Sequence, residues 1–169
     1  MDHLWLKHYP AGVPHEIDTS IYRSVVDLLE ESMQKYADQP FSVCMDVWMS
    51  YRELEQRSRQ LGAWLQILQL EPGARVAIML PNIPQFAVTM AAVLRVGYTC
   101  VNVNPLYTAR ELEHQLKDSG ATAIVILENF AHTLAEVLPR SGIRHICLTA
   151  MGDLLGPVYG RWITFAVRH

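Results

Sequence analysis

Residues 75–147 read RVAIMLPNIPQFAVTMAAVLRVGYTCVNVNPLYTARELEHQLKDSGATAIVILENFAHTLAEVLPRSGIRHIC, and this stretch decides the fold. Short apolar runs at 75–80, 98–103, 123–127 and 145–148 alternate with segments of helical character. A continuous apolar run of this length is typical of a strand that is buried on both faces. Strands joined by single helices form parallel pairs with right-handed crossovers. The stretch therefore predicts an α/β fold: a doubly wound, mostly parallel sheet flanked by helices.

The same four-residue pattern predicts the first turn of two helices. Ser50 is followed three positions later by Glu53, and Thr108 is followed by Glu111 at the same spacing. In such a capping box the hydroxyl accepts from the third backbone amide, and the glutamate accepts from the cap amide. We expect one helix to begin at each box, the first of them running to about Leu70.

The chain divides into three predicted parts. Residues 1–20 form an extended arm, because prolines and a glycine interrupt any regular structure there. Residues 21–150 form the α/β subdomain, which opens with an amphipathic helix and two short strands around a turn near Asp46. Residues 151–169 form a glycine-rich loop and an amphipathic segment that the chain end interrupts, as at the boundary of a fragment.

Composition excludes several classes of protein. The formal net charge is −3, and a nucleic-acid-binding domain needs clustered basic residues instead. Cys44, Cys100 and Cys147 are far apart and lack metal-ligand spacing, which favours three reduced thiols in a reducing cytosol. The amino terminus is not a signal peptide, and no run approaches the ~20 apolar residues that a membrane span needs. We predict a cytoplasmic protein, soluble or peripheral to the membrane.

The strand exits hold no complete catalytic site. In a parallel sheet, ligands bind at the carboxyl ends of the strands. The segments there are proline-rich, and Asn82 and Pro84 after the first strand look like a helix cap rather than a phosphate loop. Neither a G-x-G-x-x-G nor a G-x-x-x-x-G-K-[ST] pattern occurs, which disfavours a Rossmann dinucleotide site. The histidines at 114, 132 and 145 have no second ligand at metal-binding spacing.

At this point the sequence resembles a known family. Residues 36–40 (YADQP), 76–82 (VAIMLPN) and above all 101–116 (VNVNPLYTARELEHQL) are similar to the amino-terminal region of bacterial long-chain fatty acyl-CoA ligases. These ligases are members of the adenylate-forming superfamily. The likeness extends over residues 5–153, so it includes nearly the whole chain.

The resemblance implies a two-step reaction in the intact enzyme. A long-chain fatty acid carboxylate attacks the α-phosphate of ATP, with Mg²⁺, to give an acyl-adenylate and pyrophosphate. The thiol of CoA then displaces AMP. The family's phosphate loop, its tyrosine–glycine–x–threonine–glutamate segment, its hinge aspartate and its catalytic lysine do not occur in residues 1–169. We therefore expect no catalytic residue here, no tight binding of ATP, Mg²⁺ or CoA to this chain alone, and dependence on the remainder of the polypeptide.

The resemblance also suggests one candidate binding loop. In related ligases the loop after the corresponding strand lies near the CoA access route, which would place Asn104, Pro105 and Leu106 beside the nucleotide or pantetheine. Asn102 and Tyr107 would support that loop. The competing interpretation is a rigid turn that leads into the Thr108 cap.

The resemblance to this family also implies possible partners. The segment around Trp162 is a candidate for peripheral contact with the inner face of the cytoplasmic membrane, or for packing on a missing domain. Apolar faces that normally pack on the rest of the enzyme make a homodimer plausible. The alternative function is a non-catalytic α/β binding or interaction module of the same fold. No nucleic acid partner is expected.

Overall fold

The computed structural model describes residues 3–168. Between residues 3 and 24, the amino-terminal arm contains one short 3₁₀ helix, Leu4–His8, and no further helix or strand. The first α-helix, α1, spans Val25–Lys35, and Ser24 caps it by accepting from the Asp27 amide.

A two-stranded antiparallel hairpin follows α1, as predicted. Strand β1 spans Pro40–Cys44 and β2 spans Val47–Ser50. Met45 and Asp46 join them with φ angles of 49° and 60°. Two consecutive positive φ angles are the signature of a type I′ turn, whose twist matches that of the paired strands.

The main sheet contains four parallel strands in the order β4-β3-β5-β6. Their bounds are Arg75–Met79 for β3, Thr99–Asn102 for β4, Ala123–Leu127 for β5 and His145–Thr149 for β6. The helices are α2 (Tyr51–Ile67), α3 (Pro84–Arg95), α4 (Ala109–Ser119), α5 (Ala131–Val137) and α6 (Tyr159–Arg168). Short 3₁₀ turns, Glu128–Phe130 and Leu138–Arg140, flank α5.

Helices cover both faces of the sheet, which confirms the predicted doubly wound layer. Val76 and Ile78 pack towards α2 and α3, whereas Ala77 and Met79 pack towards α4 and α5. All four of these side chains are fully buried. The alternation explains why β3 is apolar at successive positions, since each face of the strand has its own helical layer.

Both predicted capping boxes are present, but some helix ends differ from the expectation. Helix α2 ends at Ile67, before the predicted Leu70, because Gln69 adopts a φ of 50° that cannot continue a right-handed helix. The cap of α3 is Ile83, not Asn82, and no side chain bonds there. Gly160 lies inside α6, although the glycines of this region predicted a loop.

Candidate ligand-binding edge of the sheet

The carboxyl ends of all four strands meet at one edge, as parallel strands require. The chain leaves β3, crosses outward to β4 and then returns past β3 to reach β5. The crossover direction therefore reverses between β3 and β5. Open α/β sheets bind ligands in the crevice at such a reversal, which here is formed by residues 80–83 and 128–130. The strand order that locates this crevice was not contained in the sequence prediction.

The predicted Asn104-Pro105-Leu106 segment lies at this edge, directly after β4. The Asn104 Oδ1 accepts from the Leu106 amide at 3.0 Å, and the Asn104 carbonyl accepts from the Tyr107 amide at 3.2 Å. These two bonds define a tight local turn. Leu106 is 81% exposed, so the turn presents an apolar tip to its surroundings. The turn anchors the entry to α4 and lies beside the crevice rather than within it.

The two residues predicted to support this turn are both held in place. The Asn102 carbonyl accepts from Gln115 Nε2 at 2.9 Å, which ties the end of β4 to α4. The half-buried ring of Tyr107 packs against the core between the sheet and α4. The Asn104 carboxamide nitrogen makes no hydrogen bond within residues 3–168, so it can donate to an added ligand.

A buried glutamine at the same edge was missed by sequence reasoning. Gln85, in the first turn of α3, is only 5% exposed, and its Nε2 donates to the Ala150 carbonyl at 2.9 Å. Asp153 Oδ2 accepts from the Ala150 amide at 2.8 Å, so this residue is held on both sides. Gln85 Oε1 is buried and has no partner in the described part of the chain. No local sequence signal distinguishes Gln85 from a solvent-facing helix residue.

Two titratable side chains near this edge have shifted pKa values. The Thr108 amide and hydroxyl hold the pKa of the Glu111 carboxyl below its usual range, as expected of a cap residue. Burial, and secondarily the charge of Asp153, raises the pKa of the Cys147 thiol, which makes it a poorer nucleophile. Within residues 3–168, no group of three or more His, Cys, Asp or Glu side chains is arranged to hold a metal ion.

Among residues 3–168, no helix has both the length and the apolar character needed to cross a bilayer.

Comparison with known proteins identifies the family. The chain is 51% identical over 170 aligned residues to the long-chain-fatty-acid–CoA ligase of Escherichia coli O157:H7, and this match covers 100% of the chain and 30% of that protein. Identity to the ligase of the same name from Haemophilus influenzae is 42%, with the same coverages. The chain thus spans about 30% of the length of the curated relatives that it matches.

The fold is shared with solved structures. A crystal structure of a long-chain-fatty-acid-CoA ligase from Archaeoglobus fulgidus superimposes with a TM-score of 0.71 at 23% identity, covering 94% of this chain and 32% of that one. The sequence profile described as AMP-binding enzyme matches residues 29–156, which include the hairpin, all four strands of the main sheet and helices α2 to α5. The chain therefore belongs to the AMP-binding enzyme family.

Proposed function

We propose that this chain is the amino-terminal part of an ATP-dependent long-chain fatty acid–CoA ligase. The intact enzyme would convert a long-chain fatty acid, ATP and CoA to acyl-CoA, AMP and pyrophosphate through an acyl-adenylate. The observation that carries this proposal is the 51% identity that extends across the whole chain. Residues 21–150 would form the α/β subdomain, with the arm before it and the α6 segment after it.

In this proposal the chain supplies a scaffold, and the rest of the polypeptide supplies the chemistry. Within residues 3–168, no three or more metal-ligating side chains cluster together. In this proposal Mg²⁺ and the ATP phosphates are held by the remainder of the chain, where the resemblance places the phosphate loop. The buried Gln85 Oε1 would accept a hydrogen bond from that remainder.

The reaction is tested on the intact polypeptide. Its open reading frame should continue beyond residue 169 into a glycine-rich phosphate loop, and the purified product should form palmitoyl-CoA from palmitate, ATP and CoA. The 169-residue chain alone should form neither acyl-adenylate nor thioester. A stop codon directly after residue 169 would instead support the non-catalytic interaction module.

We further propose that the Asn104-Pro105-Leu106 turn borders the CoA route. Support comes from its place at the carboxyl edge, its exposed tip and the unbonded carboxamide nitrogen of Asn104. Asn104→Ala in the intact enzyme should raise the KM for CoA and leave the KM for ATP unchanged. Gln66→Ala, which removes an exposed carboxamide from the last turn of α2, is the matched control. An unchanged CoA KM in Asn104→Ala favours a turn that only leads into the Thr108 cap.

Helix α6 is the proposed contact with the inner face of the cytoplasmic membrane. Trp162 and Phe165 are 65% and 64% exposed on a strongly amphipathic helix. Such side chains insert at the boundary between headgroups and acyl chains. Replacing both with serine should reduce co-flotation with phosphatidylethanolamine–phosphatidylglycerol vesicles, whereas Ile67→Ser, an exposed apolar residue of α2, should not. Equal flotation of all three proteins removes this assignment.

A further inference from the structure

The amino-terminal edge of the sheet, at the opposite end of the strands, gathers basic side chains. Arg75 begins β3, Thr122 immediately precedes β5, and Arg144 immediately precedes β6. The Thr122 amide donates to the Arg75 carbonyl at 3.0 Å, and the Arg144 amide donates to the Thr122 carbonyl at 2.8 Å. The three residues are therefore adjacent across the sheet. Because side chains alternate along a strand, all three lie on the face that carries Ala77 and Ile124.

These basic groups have no acidic partner. Within residues 3–168, the side chains of Arg75, Arg144 and His145 form neither an ion pair nor a hydrogen bond. Other arginines of the chain do find carboxylates, for example Arg95 with Glu30 at 2.6 Å. Two unpaired guanidinium groups on either side of one strand produce a positive potential that a bound anion would neutralise.

The same residues line a cavity of about 470 Å³. Its opposite wall is the connection between α2 and β3, residues 68–74, and Glu71 is the one carboxylate in the lining. The volume suits a small ligand. Guanidinium forks match the oxygen geometry of a phosphate group, and a concave positive site concentrates such anions.

A structural role for one arginine is the competing explanation. Helix α4 ends at Gly120, and Arg75 Nη1 lies 3.3 Å from the position that a Cβ on Gly120 would occupy. A cation near the carboxyl terminus of a helix is favourable by itself. This accounts for Arg75 but not for Arg144, which belongs to the start of a different strand.

We propose that this cavity binds the phosphate group of a small soluble metabolite, with Arg75 and Arg144 as its ligands. The site is formed within this chain and does not depend on the acyl-CoA ligase activity. It would give the enzyme a second anion site at the end of the sheet away from the Asn104 turn.

Phosphate binding by the intact polypeptide tests the proposal. Inorganic phosphate is titrated by calorimetry into the wild type, Arg75→Gln, Arg144→Gln and the double variant, with Arg59→Gln as a control. Arg59 pairs with Glu55 on the exposed side of α2, so its replacement removes equal charge elsewhere. Either single variant should raise the Kd about tenfold, since bonds to charged groups contribute that much. The double variant should lose this binding event, and Arg59→Gln should retain it.

Location and ligand source need separate measurements. Crystals soaked in tungstate, a phosphate-like oxyanion, should show anomalous density between Arg75 and Arg144. Density only elsewhere, or unchanged phosphate binding in the double variant together with a lower Tm, overturns the proposal in favour of the helix-terminus role. Arginine-dependent sedimentation with phosphatidylglycerol but not phosphatidylcholine vesicles would overturn the choice of a soluble ligand and assign the site to a lipid headgroup.

Discussion

The thiol of Cys100 shows how a single residue takes its chemistry from the fold. Burial raises its pKa to about 11, and its sulfur lies 3.8 Å from the Met90 carbonyl. Because the thiolate is the reactive form, native Cys100 should react far more slowly with iodoacetamide at about pH 8 than it does in urea. Mass spectrometry of the labelled peptide measures this difference. Equal labelling rates in both states contradict the prediction.

The same thiol has a predictable effect on stability. In the unfolded chain Cys100 ionises near its ordinary pKa of 9.0, whereas in the folded chain it stays neutral until about 11. The free energy of unfolding should therefore fall as the pH rises above 9.0, since only the unfolded state loses the proton there. Cys100→Ala should flatten this slope in urea titrations across that range. If the slope is unchanged in Cys100→Ala, groups other than Cys100 cause the pH dependence of the free energy of unfolding.

The capping box of α2 gives a prediction with the opposite pH direction. Ser50 Oγ accepts from the Glu53 amide at 3.2 Å, and the Ser50 amide donates to Glu53 Oε2 at 2.9 Å. That amide bond is the main cause that lowers the pKa of Glu53 from 4.5. The stabilisation that the ionised Glu53 carboxylate adds to the folded chain is present above pH 4.5. It is lost as the pH falls through the lowered pKa of Glu53.

Two substitutions test the box by urea unfolding. Ser50→Ala should lower the free energy of unfolding by about 1 kcal/mol. Glu53→Gln should be less stable than the wild type near neutral pH, and the difference should shrink below pH 4.5. Ser20→Ala removes only an exposed hydrogen bond to Asp18 and should change the free energy of unfolding far less than Ser50→Ala does. A gap between Glu53→Gln and the wild type that stays constant with pH would contradict the role of the charge.

Elements were predictable where the signal is local. Strand β5 was predicted to the residue, because an uninterrupted apolar run has no alternative there, and both capping boxes form as expected. The predicted end of α2 lies beyond the observed one, because the chain leaves the helix at Gln69 through a positive φ. A positive φ is usually indicated in a sequence by glycine, and this position is a glutamine. The bond from Gln85 to Ala150 joins residues far apart in sequence, so it required the tertiary structure. The reversal of crossover direction between β3 and β5 also depends on the tertiary structure, so the sequence alone does not predict it.

Helix α6 depends on a close backbone contact between two glycines. A Cβ at Gly152 would collide with the carbonyl of Gly160, and a Cβ at Gly160 would collide with the carbonyl of Gly152. Either glycine→alanine substitution should therefore displace α6 and speed hydrogen exchange of its amides. Gly142→Ala is the matched control, since its added Cβ would lie at an ordinary 3.5 Å from the Ala121 carbonyl. Unchanged exchange in α6 would contradict this packing.

The two outer strands of the main sheet, β4 and β6, differ in the polarity of the side chains that they expose. At one edge, β4 exposes Thr99 and Asn102, which are polar. At the other edge, β6 exposes Ile146 and Leu148, and no strand within residues 3–168 pairs with its outer side. An apolar edge strand is a template for pairing with another chain. The doubly wound topology thus leaves β6 as the part of this sheet best suited to association.

The 169-residue chain should consequently self-associate through β6. Sedimentation velocity should show a dimer fraction that grows with concentration, and Leu148→Lys should shift it to monomer, because a charge at this position opposes burial of the edge. Leu106→Lys is the matched control: it changes a more exposed leucine on the turn after β4 and should leave the dimer fraction unchanged. Equal loss in both variants would attribute association to general apolar exposure, and a monomer at all concentrations would show that β6 is not used. Within the intact polypeptide the same edge should be protected from hydrogen exchange, since the remaining chain can pair with it.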